Sequence, residues 1–73
     1  MMSYDYTRLR EKILSIYGTS GAFAGAIGLS EHSMSKKLNG KTPWKQNEIL
    51  RACALLNIKE TEIFDYFFTI VVQ

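Results

Sequence analysis

The segment from Gly28 to Lys41 constrains the fold of this 73-residue chain more than any other part of the sequence. Ser30 predicts the start of a helix, because a serine hydroxyl accepts hydrogen bonds from the free N–H groups of a first helical turn. Asn39-Gly40 predicts the end of that helix. The alanine- and glycine-rich residues before Gly28 predict a second short helix. Two short helices joined by a tight turn form a helix-turn-helix.

The spacing of apolar residues predicts an all-α chain of five short helices. Four of them cover about residues 5–17, 31–39, 43–56 and 61–68, and the other lies between its cap, Thr19 or Ser20, and Gly28. Thr42-Pro43 is expected to begin the fourth helix as its N-cap and first-turn proline. The residues expected in the core are Leu9, Ile13, Ile16, Phe23, Ala24, Ile27, Leu29, Met34, Leu38, Ile49, Leu50, Cys53, Leu56, Ile63, Phe64, Phe67 and Phe68.

Length and composition predict one domain over residues 1–73, with its core at about 5–68 and a tail at 69–73. The single cysteine, Cys53, excludes an internal disulfide, and with the single histidine, His32, it is too little for a protein-only zinc site. We therefore expect no metal and no other cofactor. The chain has no secretory signal and no apolar run of the roughly 20 residues that span a membrane, so we expect a cytoplasmic protein.

The same residues argue against an enzyme. Nucleophilic or acid–base catalysis needs a positioned group of side chains. Cys53 lies on an apolar helical stripe and is expected in the core, whereas His32 lies on a different helix. The net charge of +2 and the pI near 8.8 favour polyanionic partners only slightly.

Several short motifs in order along residues 5–68 resemble the phage Cro and repressor family of helix-turn-helix domains. They are Phe23-Ala24, Gly28-Leu29-Ser30, Asn39-Gly40-Lys41 and Leu55-Leu56-Asn57-Ile58. The ending at residues 62–68 looks like the small Cro-like proteins of temperate phages of Gram-positive bacteria, which include antirepressors and modulators of repression. The resemblance implies a five-helix domain that regulates the lysis/lysogeny switch in a bacterial host cell.

The resemblance also implies a DNA-binding surface on the helix at 31–39. Its first residues would read bases in the major groove of double-stranded operator DNA: Glu31, His32, Ser33 and Lys36. The residues at positions that commonly meet phosphate are Ser20, Lys37, Asn39 and Lys41. The family often has glutamine where this chain has Ser20 and Glu31, and an acid at position 31 repels phosphate while it can still accept a hydrogen bond from cytosine N4.

Four parts of the chain leave alternatives open. His32 is as consistent with an exposed polar residue as with a base or phosphate contact, and Trp44 suits the core better than DNA. The lysines at 36, 37, 41 and 45 form either a solvated face or a phosphate-binding cluster. The apolar tail either folds back on the core or pairs with another chain, and we favour pairing, through Phe68, Ile70, Val71 and Val72.

Two functions fit these observations. The first is a regulator that binds operator DNA through helix 31–39 as a dimer, with half-sites about one helical turn apart. The second is an antirepressor or modulator that binds the cognate phage repressor, in a heterodimer, and alters or blocks its DNA binding. The modest charge and Glu31 suit the second function, and the lysines at phosphate positions suit the first.

Overall fold

A computed structural model describes residues 4–71, which are mostly helical. The α-helices are, in chain order, α1 (Thr7–Tyr17), α2 (Ser20–Ile27), α3 (Glu31–Leu38), α4 (Gln46–Leu56) and α5 (Ile63–Phe67), and a 3-10 turn, Glu60–Glu62, precedes α5. The prediction of an all-α fold with five helices is confirmed for the described residues. Helix α2 lies centrally and contacts α1, α3 and α4, while α5 packs on α1.

Helix α1 begins two residues later than predicted. The Asp5 carboxylate accepts hydrogen bonds from the backbone N–H of Thr7, at 2.8 Å, and from its hydroxyl, so Asp5 precedes the helix. Leu9 and Ile13 are buried as predicted, but the prediction for Ile16 is wrong, since this side chain is exposed. The last turn of α1 packs through Tyr17 instead, whose ring centroid lies 5.3 Å from that of Phe23.

The α2–α3 hairpin follows its local sequence closely. Of the two candidate caps for α2, Thr19 is the one used, and its hydroxyl accepts a hydrogen bond from Ala22 N–H at 3.1 Å. Gly28 ends α2 in the left-handed conformation, with φ of 85°, which glycine adopts without a steric penalty. Ser30 caps α3 by accepting from Ser33 N–H at 3.0 Å. The expected buried stripes of α2 and α3 are confirmed.

Helix α4 begins at Gln46, so the prediction that Thr42-Pro43 begins it is wrong. Lys45 precedes the helix, and its backbone N–H donates to Glu48 Oε1 at 2.8 Å. The prediction for Leu50 is also wrong, because this side chain is exposed. The inner stripe is Ile49, Ala52, Cys53 and Leu56, and on a helix with 3.6 residues per turn Leu50 falls well to the side of that stripe.

The C-terminal helix is shorter than predicted and buries different residues. Tyr66 and Phe67 are buried and Ile63 is half-buried, whereas Phe64 is exposed, so its prediction as a core residue is wrong. Phe68 ends α5 and is also exposed. The core of the molecule is built around the largest fully buried side chains: Phe23, Phe67, Leu9, Ile13, Ile27, Met34 and Leu56.

The described part of the tail folds back on the start of the chain. Tyr4 and Ile70 form an isolated antiparallel β-bridge, and Asp5 N–H donates to the carbonyl of Thr69 at 2.7 Å. The alternative that we favoured, pairing with another chain, is wrong for these backbone groups, because residues at the start of the same chain already pair with them. Val72, the last of the four proposed contacts, lies outside the described residues.

Asn57 ends α4 with φ of 56°, in the left-handed region that side chains other than glycine and asparagine rarely adopt. We expect Asn57→Ala to lower the free energy of unfolding by about 1 kcal/mol, because alanine tolerates the left-handed conformation less well than asparagine does. Asn57→Gly is the matched control and is expected to leave stability unchanged or slightly higher. Urea denaturation followed by circular dichroism measures both, and equal losses would contradict this account.

Candidate functional site

The outer surface of α3 is the candidate site, and the structure leaves most of its predicted base-reading residues accessible. Glu31, His32 and Lys36 are exposed, while Ser33 is half-buried. The Ser33 hydroxyl accepts a hydrogen bond from the Ser30 hydroxyl at 3.0 Å. Ser33 is therefore partly engaged in the cap of its own helix, whereas the other three side chains have no hydrogen-bond or ion-pair partner among those found in the described residues.

The Glu31 carboxylate lies against the first turn of α2. A Cβ atom added to Gly21 would come within 2.5 Å of Glu31 Oε1, so the missing side chain at Gly21 makes room for the carboxylate. The N-terminal turn of a helix carries a partial positive charge and favours a nearby anion. Glu31 thus places a negative charge at the N-terminus of α2, on the side of the molecule where the resemblance predicts DNA phosphate. This charge would repel a phosphate there.

Lys37 does not lie on the surface, so its prediction as a phosphate contact is wrong. Its side chain is 5% exposed, and Nζ lies 2.8 Å from Glu48 Oε1. Nζ also donates to the carbonyl of Pro43 at 3.1 Å and lies 5.9 Å from the ring centroid of Trp44. A lysine that is enclosed in this way cannot meet a phosphate without breaking the ion pair.

Glu48 is the partner that sequence reasoning missed. Its burial raises the carboxyl pKa, but the hydrogen bonds from Lys37 and from the Lys45 N–H, with the charges of both lysines, outweigh this effect, so the pKa is lowered below its ordinary value. The sequence offered one indication of this role: an acid lies four residues before Ala52, on the same face of α4 as the buried stripe. An acid on such a stripe needs a cation beside it.

Asn39, predicted to meet phosphate, has a structural partner. Its side-chain oxygen accepts a hydrogen bond from Arg10 Nη2 of α1, and the same Nη2 donates to the carbonyl of Leu38 at 3.0 Å. Arg10 thereby satisfies the Leu38 carbonyl at the C-terminal end of α3, where a positive charge is favourable. Sequence reasoning missed this role of Arg10, because the two residues are far apart in the chain.

The remaining predicted phosphate contacts, Ser20 and Lys41, are exposed. Ser20 is the first residue of α2, and Lys41 follows the end of α3. A cleft of about 320 Å³ lies between α3 and the start of α4, and Lys36 and Lys45 are among the side chains that line it. Of the predicted cluster of four lysines, three are therefore exposed and Lys37 is buried.

Cys53 and Trp44 are placed as the sequence favours. Cys53 is buried, and desolvation raises the pKa of its thiol, which makes it a poor nucleophile. Trp44 is half-buried and packs edge-on against Phe67, with 5.3 Å between ring centroids. Among residues 4–71 no three metal-ligating side chains lie close enough together to hold an ion, and no helix there is long and apolar enough to cross a membrane.

Comparison with known families gives a match over almost the whole chain. The family described as "Protein of unknown function (DUF739)" matches residues 2–70. The chain belongs to the DUF739 family. No curated protein matches this DUF739 protein. Neither this match nor the structural one below assigns it to the Cro-type repressors, so that part of the resemblance stays a prediction.

Among solved structures, this DUF739 protein is similar to the modulator of repression (MOR) of the temperate bacteriophage TP901-1 from Lactococcus lactis, determined in solution. The two share 48% sequence identity over 90% of this chain and 89% of that chain, with a TM-score of 0.80. The match covers most of both chains, at a level of identity that exceeds likeness of fold alone. The homologue is, by its description, a phage modulator of repression.

Proposed function

We propose that this DUF739 protein is a phage modulator of repression that binds the cognate phage repressor and alters or blocks its binding to operator DNA. The observation that carries the proposal is the 48% identity to the TP901-1 modulator of repression over 90% of the chain. The protein would act in the cytoplasm of the bacterial host, as one partner of a heterodimer.

The electrostatics of α3 support a protein partner over DNA. Lys37 is neutralised by Glu48 in the interior, and Glu31 adds a negative charge beside the N-terminus of α2. DNA affinity depends on the number of phosphates that exposed cations neutralise. With one predicted phosphate contact buried and an acid at the front of the surface, α3 is weakly equipped to bind DNA by itself.

A second candidate function is operator binding through α3, favoured by the exposure of His32, Lys36 and Lys41. In this function the bases would be read by Glu31, His32, Ser33 and Lys36, and phosphates would be bound by Ser20, Asn39 and Lys41. A homodimer would then bind two half-sites. The modulator remains the better-supported function, because the second depends on side chains that the structure shows only to be accessible.

Fluorescence anisotropy of labelled operator-region DNA at two salt concentrations separates these functions. The DNA is titrated with this protein alone, with the purified cognate repressor alone and with both proteins. The modulator predicts no specific binding by this protein alone, and loss or change of the repressor–DNA complex on mixing. Tight binding by this protein alone that weakens steeply with salt would support direct DNA recognition instead.

Glu31→Gln tests the electrostatic argument. We expect this substitution to raise the affinity of the protein for non-specific DNA by up to about fivefold at low salt, because a repulsive charge close to phosphate is worth about 1 kcal/mol in water. Glu11→Gln, which removes an exposed acid from α1, is the matched control and is expected to have a smaller effect. Equal changes for both variants would show that Glu31 does not face the DNA.

A further inference from the structure

Five exposed apolar residues lie together at the end of the molecule where Tyr4 and Ile70 form their β-bridge. We call it the C-terminal aromatic face: Tyr4, Phe64, Phe68, Ile70 and Val71. The Phe68 ring lies 6.0 Å, centroid to centroid, from both the Phe64 and the Tyr4 rings, and Tyr4 is bridged to Ile70. Phe64 is 66% exposed although it is a large apolar side chain. Connected apolar surfaces of this kind mark interaction sites.

A cleft adjoins this face and deepens it. The cleft has a volume of about 330 Å³ and is lined by Tyr4 and Phe68 of the face, together with Tyr6, Trp44 and Phe67 from the core. Binding energy at protein interfaces concentrates where an apolar or aromatic side chain fills such a depression. The C-terminal aromatic face therefore offers both a protruding anchor, Phe64, and a receiving cleft.

The charges around the face identify the chemistry of its partner. Residues 60–73 contain three acids, Glu60, Glu62 and Asp65, and no lysine or arginine, so their formal charge is −3. Residues 1–59 contain all nine basic residues and four acids, a formal charge of +5. Glu60 and Asp65 are exposed, and Asp65 has one weak ion pair, to Arg8 at 3.9 Å. The aromatic face thus belongs to the acidic end of a basic protein.

We propose that the C-terminal aromatic face, with Glu60 and Asp65 beside it, docks onto the basic DNA-reading surface of the cognate repressor. The inference rests on the proposed function and adds which end of this molecule makes the contact. A surface that binds DNA must be positive, because its ligand carries a phosphate at every nucleotide. Acidic side chains around an apolar anchor complement such a surface in charge and supply the buried centre that an interface needs.

The same charges argue against the other occupants of this face. Two copies of the chain that met through it would bring together two segments of charge −3, which repel each other. Operator DNA is excluded for the same reason. A repressor that is held by this face loses access to its operator, since the docked protein covers the cations that neutralise phosphate.

Phe64→Ala tests the proposal without disturbing the fold, because the side chain is 66% exposed. The affinity of each full-length variant for the purified cognate repressor is measured by isothermal titration calorimetry. We expect Phe64→Ala to weaken binding about thirtyfold. Leu50→Ala, which truncates an equally exposed side chain on α4, is the matched control and is expected to bind as the wild type does. Circular dichroism checks that both variants are folded.

The acids are tested by the double variant Glu60→Gln/Asp65→Asn. We expect the association rate with the repressor to fall about fivefold at low salt and its salt dependence to become shallower, since charges at the rim of an interface act mainly on the association rate.

Unchanged affinity of Phe64→Ala, with loss of binding in His32→Ala on α3, would overturn the docking face and leave the proposed function intact. Failure of the wild-type protein to bind the repressor would overturn both. Concentration-dependent self-association that Phe64→Ala abolishes would assign the face to a second copy and overturn the proposal.

Discussion

Replacing Lys37 by methionine is expected to lower the free energy of unfolding by about 3–5 kcal/mol, because it leaves the Glu48 carboxylate buried without its cation. The two side chains are 5% and 7% exposed, and 2.8 Å separates Lys37 Nζ from Glu48 Oε1. A core of this size supplies only about 3–5 kcal/mol in total. The variant is therefore expected to be largely unfolded at room temperature, in a circular dichroism spectrum as well as in a urea titration.

Lys36→Met is the matched control, since it makes the same substitution on the exposed side of α3. It should change stability by no more than about 0.5 kcal/mol. The double variant Lys37→Met/Glu48→Leu removes both charges and is expected to recover most of the loss, because an apolar pair can replace a buried ion pair with little cost. Equal stability of Lys37→Met and Lys36→Met would show that the ion pair does not form in solution.

The pH dependence of stability gives a second measurement of the same pair. The folded-state pKa of Glu48 is lowered below its ordinary value of 4.5. The pair therefore contributes its full stability above pH 4.5, and this contribution is lost as the pH falls through the lowered folded-state pKa. The double variant Lys37→Met/Glu48→Leu has no carboxyl at position 48, so its stability should lack this acid-induced loss.

The α2–α3 hairpin was predictable because its determinants are local. The Thr19 and Ser30 hydroxyls cap the helices that they precede, and Gly28 supplies the left-handed turn between them. Each of the two hydroxyl caps spans only three residues. The start of α4 was not predictable in the same way. Thr42-Pro43 has the local pattern of a helix start, but the helix begins after Lys45, whose N–H donates to Glu48. Glu48 is held in place by Lys37 of α3, which is a contact between helices.

The candidate site was less predictable than the fold, because its charges depend on contacts between helices. Lysine is rarely buried, and nothing close to Lys37 in the sequence indicates that Glu48 of another helix neutralises it. The contact between Glu31 and Gly21 likewise joins two helices across the turn. Sequence identified α3 as the surface to examine, and the structure shows which of its charges are free.

The interior position of Phe67 leads to the second large effect. We expect Phe67→Ala to lower the free energy of unfolding by about 3–5 kcal/mol, the usual range for a buried phenylalanine. Phe67 is 2% exposed, and its ring packs against Trp44 with 5.3 Å between centroids, so it connects the C-terminal helix to the core. Truncation would remove that connection and leave a cavity that α5, with only five residues, is too short to close.

Phe64→Ala on the same helix is the control, because it makes the same chemical change three residues away. Helix propensity rises equally in the two variants, so the difference between them isolates burial. Phe64 is 66% exposed, and we expect its truncation to alter stability by no more than about 0.5 kcal/mol. Urea denaturation by far-ultraviolet circular dichroism compares both variants with the wild type. A larger loss for Phe64→Ala would mean that α5 packs through its other face, which would bury the aromatic anchor proposed for the repressor.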